Sequence, residues 1–384
     1  MRKIYLVVVS LIMAFATLFC GCSCNGDLIL EFTNAFTGGD NSLVGETLVY
    51  KVQNKDKYGT EFNKDAQITK DIVDYAYNGT YTLTWEQIGQ LPEKTEFLEN
   101  SVSSNIVNPK ESTHYYKLTS KLELTTSYYS VNGKKPEPTE LAQDPTAIEE
   151  YIYTDTYFCV RGKSYAPIYS ETDAFYSNIS YFEAGKNYEA FAAIEFTTYK
   201  AYTEYNENSY KMSVRINKAP DYTTTIYDYS FRTVIDNAQL IFLLRNINFA
   251  QNSTITLPTV SYTYGKAKEL TVIDRGANQA YYDNPLHPDN GEDGFFLKVN
   301  GAPMLNQSET GVQYKIPTKK IGFYVNDRMA AGTEQTLLIQ TEAYGDLAMR
   351  ALPLEYVQPI CTNRTFKSLG VMQFNLIEVI TTNS

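Results

Sequence analysis

Two groups of residues in this 384-residue chain have the types and spacing to do chemistry. One is a thiol cluster, Cys20-Gly21-Cys22-Ser23-Cys24, placed where an apolar run ends. Thiolates are nucleophiles and soft ligands, so such a cluster suits acylation, disulfide exchange or metal binding. The other is the segment Tyr281 to Gly294, in which Asp283, Asp289, Asn290, Glu292 and Asp293 supply oxygen ligands. Calcium takes about six to eight such oxygens on a flexible loop, which makes Asp283, Asp289 and Asp293 the calcium candidates. Asp289-x-Gly291-x-Asp293-Gly294 half-matches a calcium loop, with Gly at its third position and Asn300, not Glu, at its twelfth. An exposed loop built of turn formers is the competing reading.

Motifs for catalysis are missing. The chain has no G-x-S-x-G, H-E-x-x-H, Walker loop or G-x-G-x-x-G. Its two histidines, His114 and His287, belong to no triad-like sequence. The one tryptophan, Trp85, shares a strand face with Tyr81 and Leu83, opposite Thr82 and Thr84. That alternation favours a Trp packed in a sheet over a sugar-binding platform. The expectation is a protein that is not an enzyme and needs no organic cofactor; a glycan hydrolase is the catalytic alternative, because carboxylate separation is set only in three dimensions.

Position resolves the thiols. Met1-Arg2-Lys3 leads into an apolar run from Ile4 to Phe19, the layout of a secretory signal. The run falls short of the ~20 residues that a spanning helix needs. Gly21 precedes Cys22, and Phe19 stands three residues before it, which resembles the lipobox of bacterial lipoproteins. Bulky Phe19 before Cys20 and Ser23 before Cys24 make those two poorer acceptors. The resemblance implies a signal peptide over 1–21, cleavage before Cys22 and acylation (palmitate among the chains) of that residue. Two or more chains, at ~0.8 kcal/mol per buried methylene, hold a protein stably on the cell membrane at its extracytoplasmic face. An ordinary signal peptide or an uncleaved anchor is the alternative.

Removing residues 1–21 takes away Arg2 and Lys3 and moves the formal net charge from −11 to −13. So acidic a chain carries no electrostatic footprint for nucleic acid and no polybasic patch for anionic lipid. Tyrosine is the compositional outlier, 33 of them beside 19 Phe and a single Trp. Flat aromatics favour strands, and Tyr also makes good contact surface. In the folded part only Cys159 and Cys361 remain, as a disulfide or as two buried thiols.

The elements that must position these groups read as strands. Residues 22–43 form a lipidated tether ending in Gly38-Gly39-Asp40-Asn41-Ser42, and 44–384 form a single β-rich domain. A first strand covers 45–52. From Tyr116, Leu118, Leu122, Leu124 and Tyr128 alternate with Lys117, Thr119, Lys121 and Glu123, a period of two. Further strands are expected at 151–160, 190–205, 210–217, 222–234, 254–264 and 269–273. A loop from Asp274 to Gly294 should follow, then strands at 295–299, 312–316, 320–325, 335–342 and 371–380. Near 237–249 the period changes: Leu240, Ile241, Leu243, Leu244 and Ile247 keep helical spacing, with Asp236 as the cap and Gln239, Arg245 and Asn246 off the apolar stripe. The fold expected is mainly β, a large curved antiparallel sheet (half-barrel or β-clam) covered by that helix.

Gly45-Glu46-Thr47-Leu48-Val49-Tyr50 and Asn237-Ala238-Gln239-Leu240-Ile241-Phe242-Leu243-Leu244-Arg245 resemble the opening strand and central helix of β-clam envelope proteins related to lipoprotein carriers. The resemblance spans about 44–380. It implies non-catalytic binding of a lipid, hydrophobic or peptide-like envelope ligand in the concave face. A structural or adhesive surface protein, using its tyrosines against protein or glycan, is the alternative.

Overall fold

The computed structural model describes residues 45–54, 72–91, 114–131, 146–161, 164–181, 192–206, 211–218, 221–228, 235–236, 239–245, 254–261, 266–291, 294–325, 334–348, 351–361 and 368–381. Cys22, Cys20, Cys24, Asp293 and Glu292 therefore lie outside the described residues, as do 237–238 and 246–249.

Alternating side chains and a high content of Tyr, Thr, Val and Ile give extended chain almost throughout. The first strand, β1 (Glu46–Asn54), is followed by β2 (Ile72–Ile88), β3 (His114–Val131), β4 (Thr146–Arg161) and β5 (Ser164–Tyr181). Then come β6 (Ala192–Asn206), β7 (Lys211–Lys218), β8 (Asp221–Asp228) and the two-residue β9 (Ile235–Asp236). The helix α1 (Leu240–Leu244) precedes β10 (Thr254–Ser261) and β11 (Lys266–Asp283). The short β12 (Lys298–Val299) and β13 (Ala302–Pro303), then β14 (Gln313–Val325), β15 (Gln335–Gln340), β16 (Pro353–Cys361) and β17 (Ser368–Thr381) complete the order.

From β1 the chain meanders outward through β2 to β8, each strand antiparallel to the last. It then crosses to the far side and returns as β10, β11, β14, β15, β16 and β17, again antiparallel. The circuit closes where β17 pairs with β1, Glu46 opposite Thr381 and Asn54 opposite Met372. Among the described residues the result is a large open antiparallel sheet of 14 strands, with β9 added parallel to β10 and β12 parallel to the end of β17. The mainly β, half-barrel expectation holds.

One apolar cluster fills the inside of the curve, with Leu48 and Tyr50 from β1, Leu83 and Trp85 from β2, Tyr282 from β11, Phe323 from β14 and Phe374 from β17. Gly79 lies on this wall because a Cβ there would run into the Glu123 carbonyl of β3. All five residues of α1 belong to the same cluster.

Four expectations need correction. Described helix is confined to Leu240–Leu244, and Asp236 sits in β9 instead of capping it; the N-cap is Gln239, without a side-chain cap. Nor is α1 striped: Gln239 and Arg245 are as buried as the apolar residues, because sheet surrounds the helix instead of flanking it. The loop expected from Asp274 is strand as far as Asp283. Gly276, at φ +87°, lets β11 bulge between Asp274 and Ala277, and Asp274 Oδ1 accepts the Gly276 N–H at 2.8 Å. Two strands expected at 312–316 and 320–325 are one, β14, in which Pro317 lies just before the β15 ladder begins at Thr318.

Burial of tyrosine hydroxyls sets an alkaline limit on this fold. Desolvation pushes Tyr50, Tyr81 and Tyr282 far above the ordinary phenol, and burial with nearby Asp155 and Glu171 pushes Tyr157 up to about 12. A raised folded-state value means stability is complete below the free-tyrosine range and drains away as pH climbs through about 10 to 12. Denaturation midpoints should hold to about pH 10 and then fall, with tyrosinate absorbance appearing together with unfolding. A smooth titration of all tyrosines in a still-folded chain would contradict this.

Candidate functional site

The concave face gathers inward side chains from many strands, and its two halves differ. Where β1, β11 and β14 to β17 form the wall it is packed with large apolar side chains. Two polar tips there are bonded to backbone: Tyr50 donates to the Pro353 carbonyl at 2.9 Å and Tyr282 to the Leu354 carbonyl at 3.2 Å.

An aromatic box marks the boundary. Inward positions on β2, β3 and β4 bring Trp85, Tyr116 and Phe158 together, and α1 adds Phe242. The Trp85 ring lies 4.0 Å from Phe242, 4.6 Å from Phe158 and 5.1 Å from Tyr116. Sheet packing, the reading favoured from the sequence, is what Trp85 does. The space directly beneath α1 at this point holds rings.

What aims Phe242 is a buried ion pair. Arg245, one turn on, donates through Nη1 to Glu46 Oε1 of β1 and reaches Oε2 at 3.4 Å, while its Nε donates to the Ala351 carbonyl at 3.2 Å. The two side chains are 0% and 2% exposed, so water does not screen them. The guanidinium also stands 5.6 Å from the Phe242 ring centre.

Beyond the box the wall changes character. Small inward residues gather on β4 to β6, with Thr154, Thr156, Ser170, Thr172, Ala174 and Ala201 all buried, while on β3 Ser120 lies between Leu118 and Leu122. Thr154 and Thr172 share a hydroxyl contact of 3.0 Å across β4 and β5. Two groups beside the box have no hydrogen-bonding partner among the described residues. One is the Thr156 hydroxyl, next to Phe158 on the same face of β4; the other is the side-chain amide of Gln239, three residues before Phe242. Both residues are 0% exposed. Buried polar atoms left this way want a water or a ligand.

The residues singled out from the sequence fall elsewhere. Asp283 ends β11, its Oδ2 accepting the Phe295 N–H at 2.7 Å and its Oδ1 the Gln313 amide at 3.2 Å. Asp289 is 78% exposed, 3.8 Å from His287 Nδ1, which accepts the Asp289 N–H at 3.3 Å. Among the described residues no three His, Cys, Asp or Glu side chains gather as a metal site. His114 opens β3 opposite Val160. Cys159 on β4 and Cys361 on β16 are separated in the sheet by β17, β1, β2 and β3. Tyrosines on the convex face are partly sunk: Tyr151 stacks on Tyr153 at 4.9 Å, and buried Tyr157 packs on Tyr169 at 5.7 Å.

Sequence reasoning missed Glu46, Arg245, Gln239 and Thr156. An Arg closing the otherwise apolar run Leu240-Ile241-Phe242-Leu243-Leu244 was a usable signal, since a buried cation needs a buried anion.

No family model matches the chain, and no curated protein does. Among solved structures it is similar to a β-barrel-like protein of a domain of unknown function, DUF1849, from Brucella abortus. Identity is 8% and the TM-score 0.37, with 88% of this chain and 97% of that one covered.

A double-mutant cycle tests the ion pair. Glu46→Met or Arg245→Met alone should cost about 3–5 kcal/mol by urea unfolding, since each strands a buried charge. The combined variant should recover most of that loss. Additive losses would show that the two residues do not act as a pair.

Proposed function

We propose that this chain is an extracytoplasmic lipoprotein, anchored by acyl groups on Cys22, whose concave β face binds an envelope-derived ligand without chemical conversion. The observation that carries the binding reading is the pair of fully buried, unpartnered groups, Gln239 amide and Thr156 hydroxyl, flanking the aromatic box. Leaving such groups unpaired costs about 1–3 kcal/mol each, so a ligand with an apolar body and a hydrogen-bonding group is the complement this face lacks. Small residues on the β4 to β6 wall favour a ligand beside α1. The carrier version, with a ligand under α1, loses support from the rings filling that space.

The adhesive alternative drew on exposed tyrosine rows together with an accessible Trp85. Trp85 is buried at 2% exposure, which favours the concave face over the convex one.

Native mass spectrometry of the intact chain, extracted in detergent from its own host, should show a bound small molecule. Thr156→Val with Gln239→Leu should lose that mass and yet unfold at higher urea, because each change removes a buried polar group from the free protein. A gain in stability with the bound mass retained would sink this reading of the face. Separately, Cys22→Ala should abolish palmitate labelling; unchanged labelling would move the anchor to Cys20 or Cys24.

A further inference from the structure

The direction of the strands fixes which end of the sheet each loop occupies. Glu46 of β1 pairs with Thr381 of β17, and Gly45 donates its N–H to the Trp85 carbonyl at 2.8 Å. Thr381 in turn donates its N–H to Asn300 Oδ1 at 2.8 Å, and Asn300 donates its own to the Val379 carbonyl at 2.9 Å. At the same end β11 finishes and β14 begins, Asp283 opposite Gln313. The residues just before β1 and the loops spanning 284–312 thus share one rim.

Large apolar side chains collect there. Among the described residues those left exposed are Tyr281, Leu286, Leu305, Val312 and Ile380, at 38–52% exposure. Tyr281 is in the last turn of ladder on β11, Leu286 and Leu305 are in the loops that follow, Val312 precedes β14 and Ile380 lies opposite Thr47. Scattered exposed leucines need no explanation, but five on one rim do.

That rim is held in shape. Asn284, 1% exposed, donates its amide to the carbonyls of Glu309 and Gly311 at 3.2 and 2.9 Å, and its Oδ1 accepts the Leu286 N–H at 2.9 Å. Asn290 donates to the carbonyls of Asn284 and Val312 at 2.8 and 2.7 Å. Leu305 donates to Asp346 Oδ1 at 3.0 Å. Leu286, Val312 and Leu305 are therefore presented outward by bonded backbone.

We infer that this rim docks on the lipid bilayer to which the chain is tethered, inserting Tyr281, Leu286 and Val312 at the headgroup level. The inference rests on acylation of Cys22. Only residues 23–44 separate Cys22 from Gly45, and 22 residues reach ~75 Å at full extension. A short tether raises the rim's effective concentration at the membrane, so weak partitioning suffices. With residues 1–21 removed the formal net charge is −13, so the protein is attracted by no anionic surface, and the contact is apolar. A zwitterionic bilayer is the matching partner.

The test reconstitutes the full, anchored chain into phosphatidylcholine vesicles carrying brominated acyl chains. Leu286→Trp and Val312→Trp are compared with Gln358→Trp, an exposed site toward the other end of β16. Trp85 supplies the same background in all three. Emission at 286 and 312 should shift to the blue and lose intensity to bromine, and that at 358 should do neither. Chain that floats with the vesicles while 286 behaves like 358 would overturn the docking and leave the anchor standing. Chain that does not float would overturn both.

Discussion

A guanidinium and a carboxylate inside an apolar core must find each other, and here Arg245 and Glu46 do so across 199 residues of chain. Each charge alone would be costly to bury, and burying both requires that helix and sheet meet in one register. Their meeting settles how α1 lies: with Arg245 pinned to β1 and to the Ala351 carbonyl, Phe242 has one place to go, the face of Trp85. Trp85 in turn carries Phe158 and Tyr116, so three strands take their inward packing from one polar contact. Ala351 accepts the third bond while at φ +51°, a conformation uncommon for a residue with a Cβ. The core is apolar in bulk, and its geometry is set by charge.

That geometry divides the concave face. On one side of α1 large side chains interlock, and Tyr50 and Tyr282 set their hydroxyls on backbone carbonyls. On the other side β4 to β6 present mostly hydroxyls and methyls, and the Thr156 hydroxyl and Gln239 amide sit beside the rings without partners among the described residues. Among the described residues the helix is five residues long, and the small buried side chains of β4 to β6 mark where the inward face needs the least volume.

Much of the fold was legible in residue order. Strict alternation from Tyr116 to Leu124 predicted β3 because one face is wet and one dry, and the period change at Leu240 predicted α1. β5 and β16 were not among the strands expected from the sequence; both contain proline, Pro167 in the one and Pro353 and Pro359 in the other, and proline cannot donate to a ladder. In the structure Pro167 sits opposite Phe158, where the β4–β5 register shifts, and the other two lie near the ends of β16. Residues able to do chemistry on paper, Asp283 and His287, were conspicuous by type, whereas Thr156 and Gln239 are ordinary until burial removes their water. Long-range pairing is also invisible locally; nothing near Glu46 announces Arg245.

Pairing of the first strand with the last has a consequence for how this chain is made. Until β17 exists, β1 has β2 on one side and an open edge on the other, and the central ladder from Glu46–Thr381 to Asn54–Met372 cannot start. Contacts so distant in sequence form late, since the whole intervening chain must be ordered or looped out first. The sheet therefore cannot lock until its C-terminal strand is available. The same delay leaves the β1 edge open to pairing with another copy, so chaperoning during folding would matter more for this topology than for a simple meander.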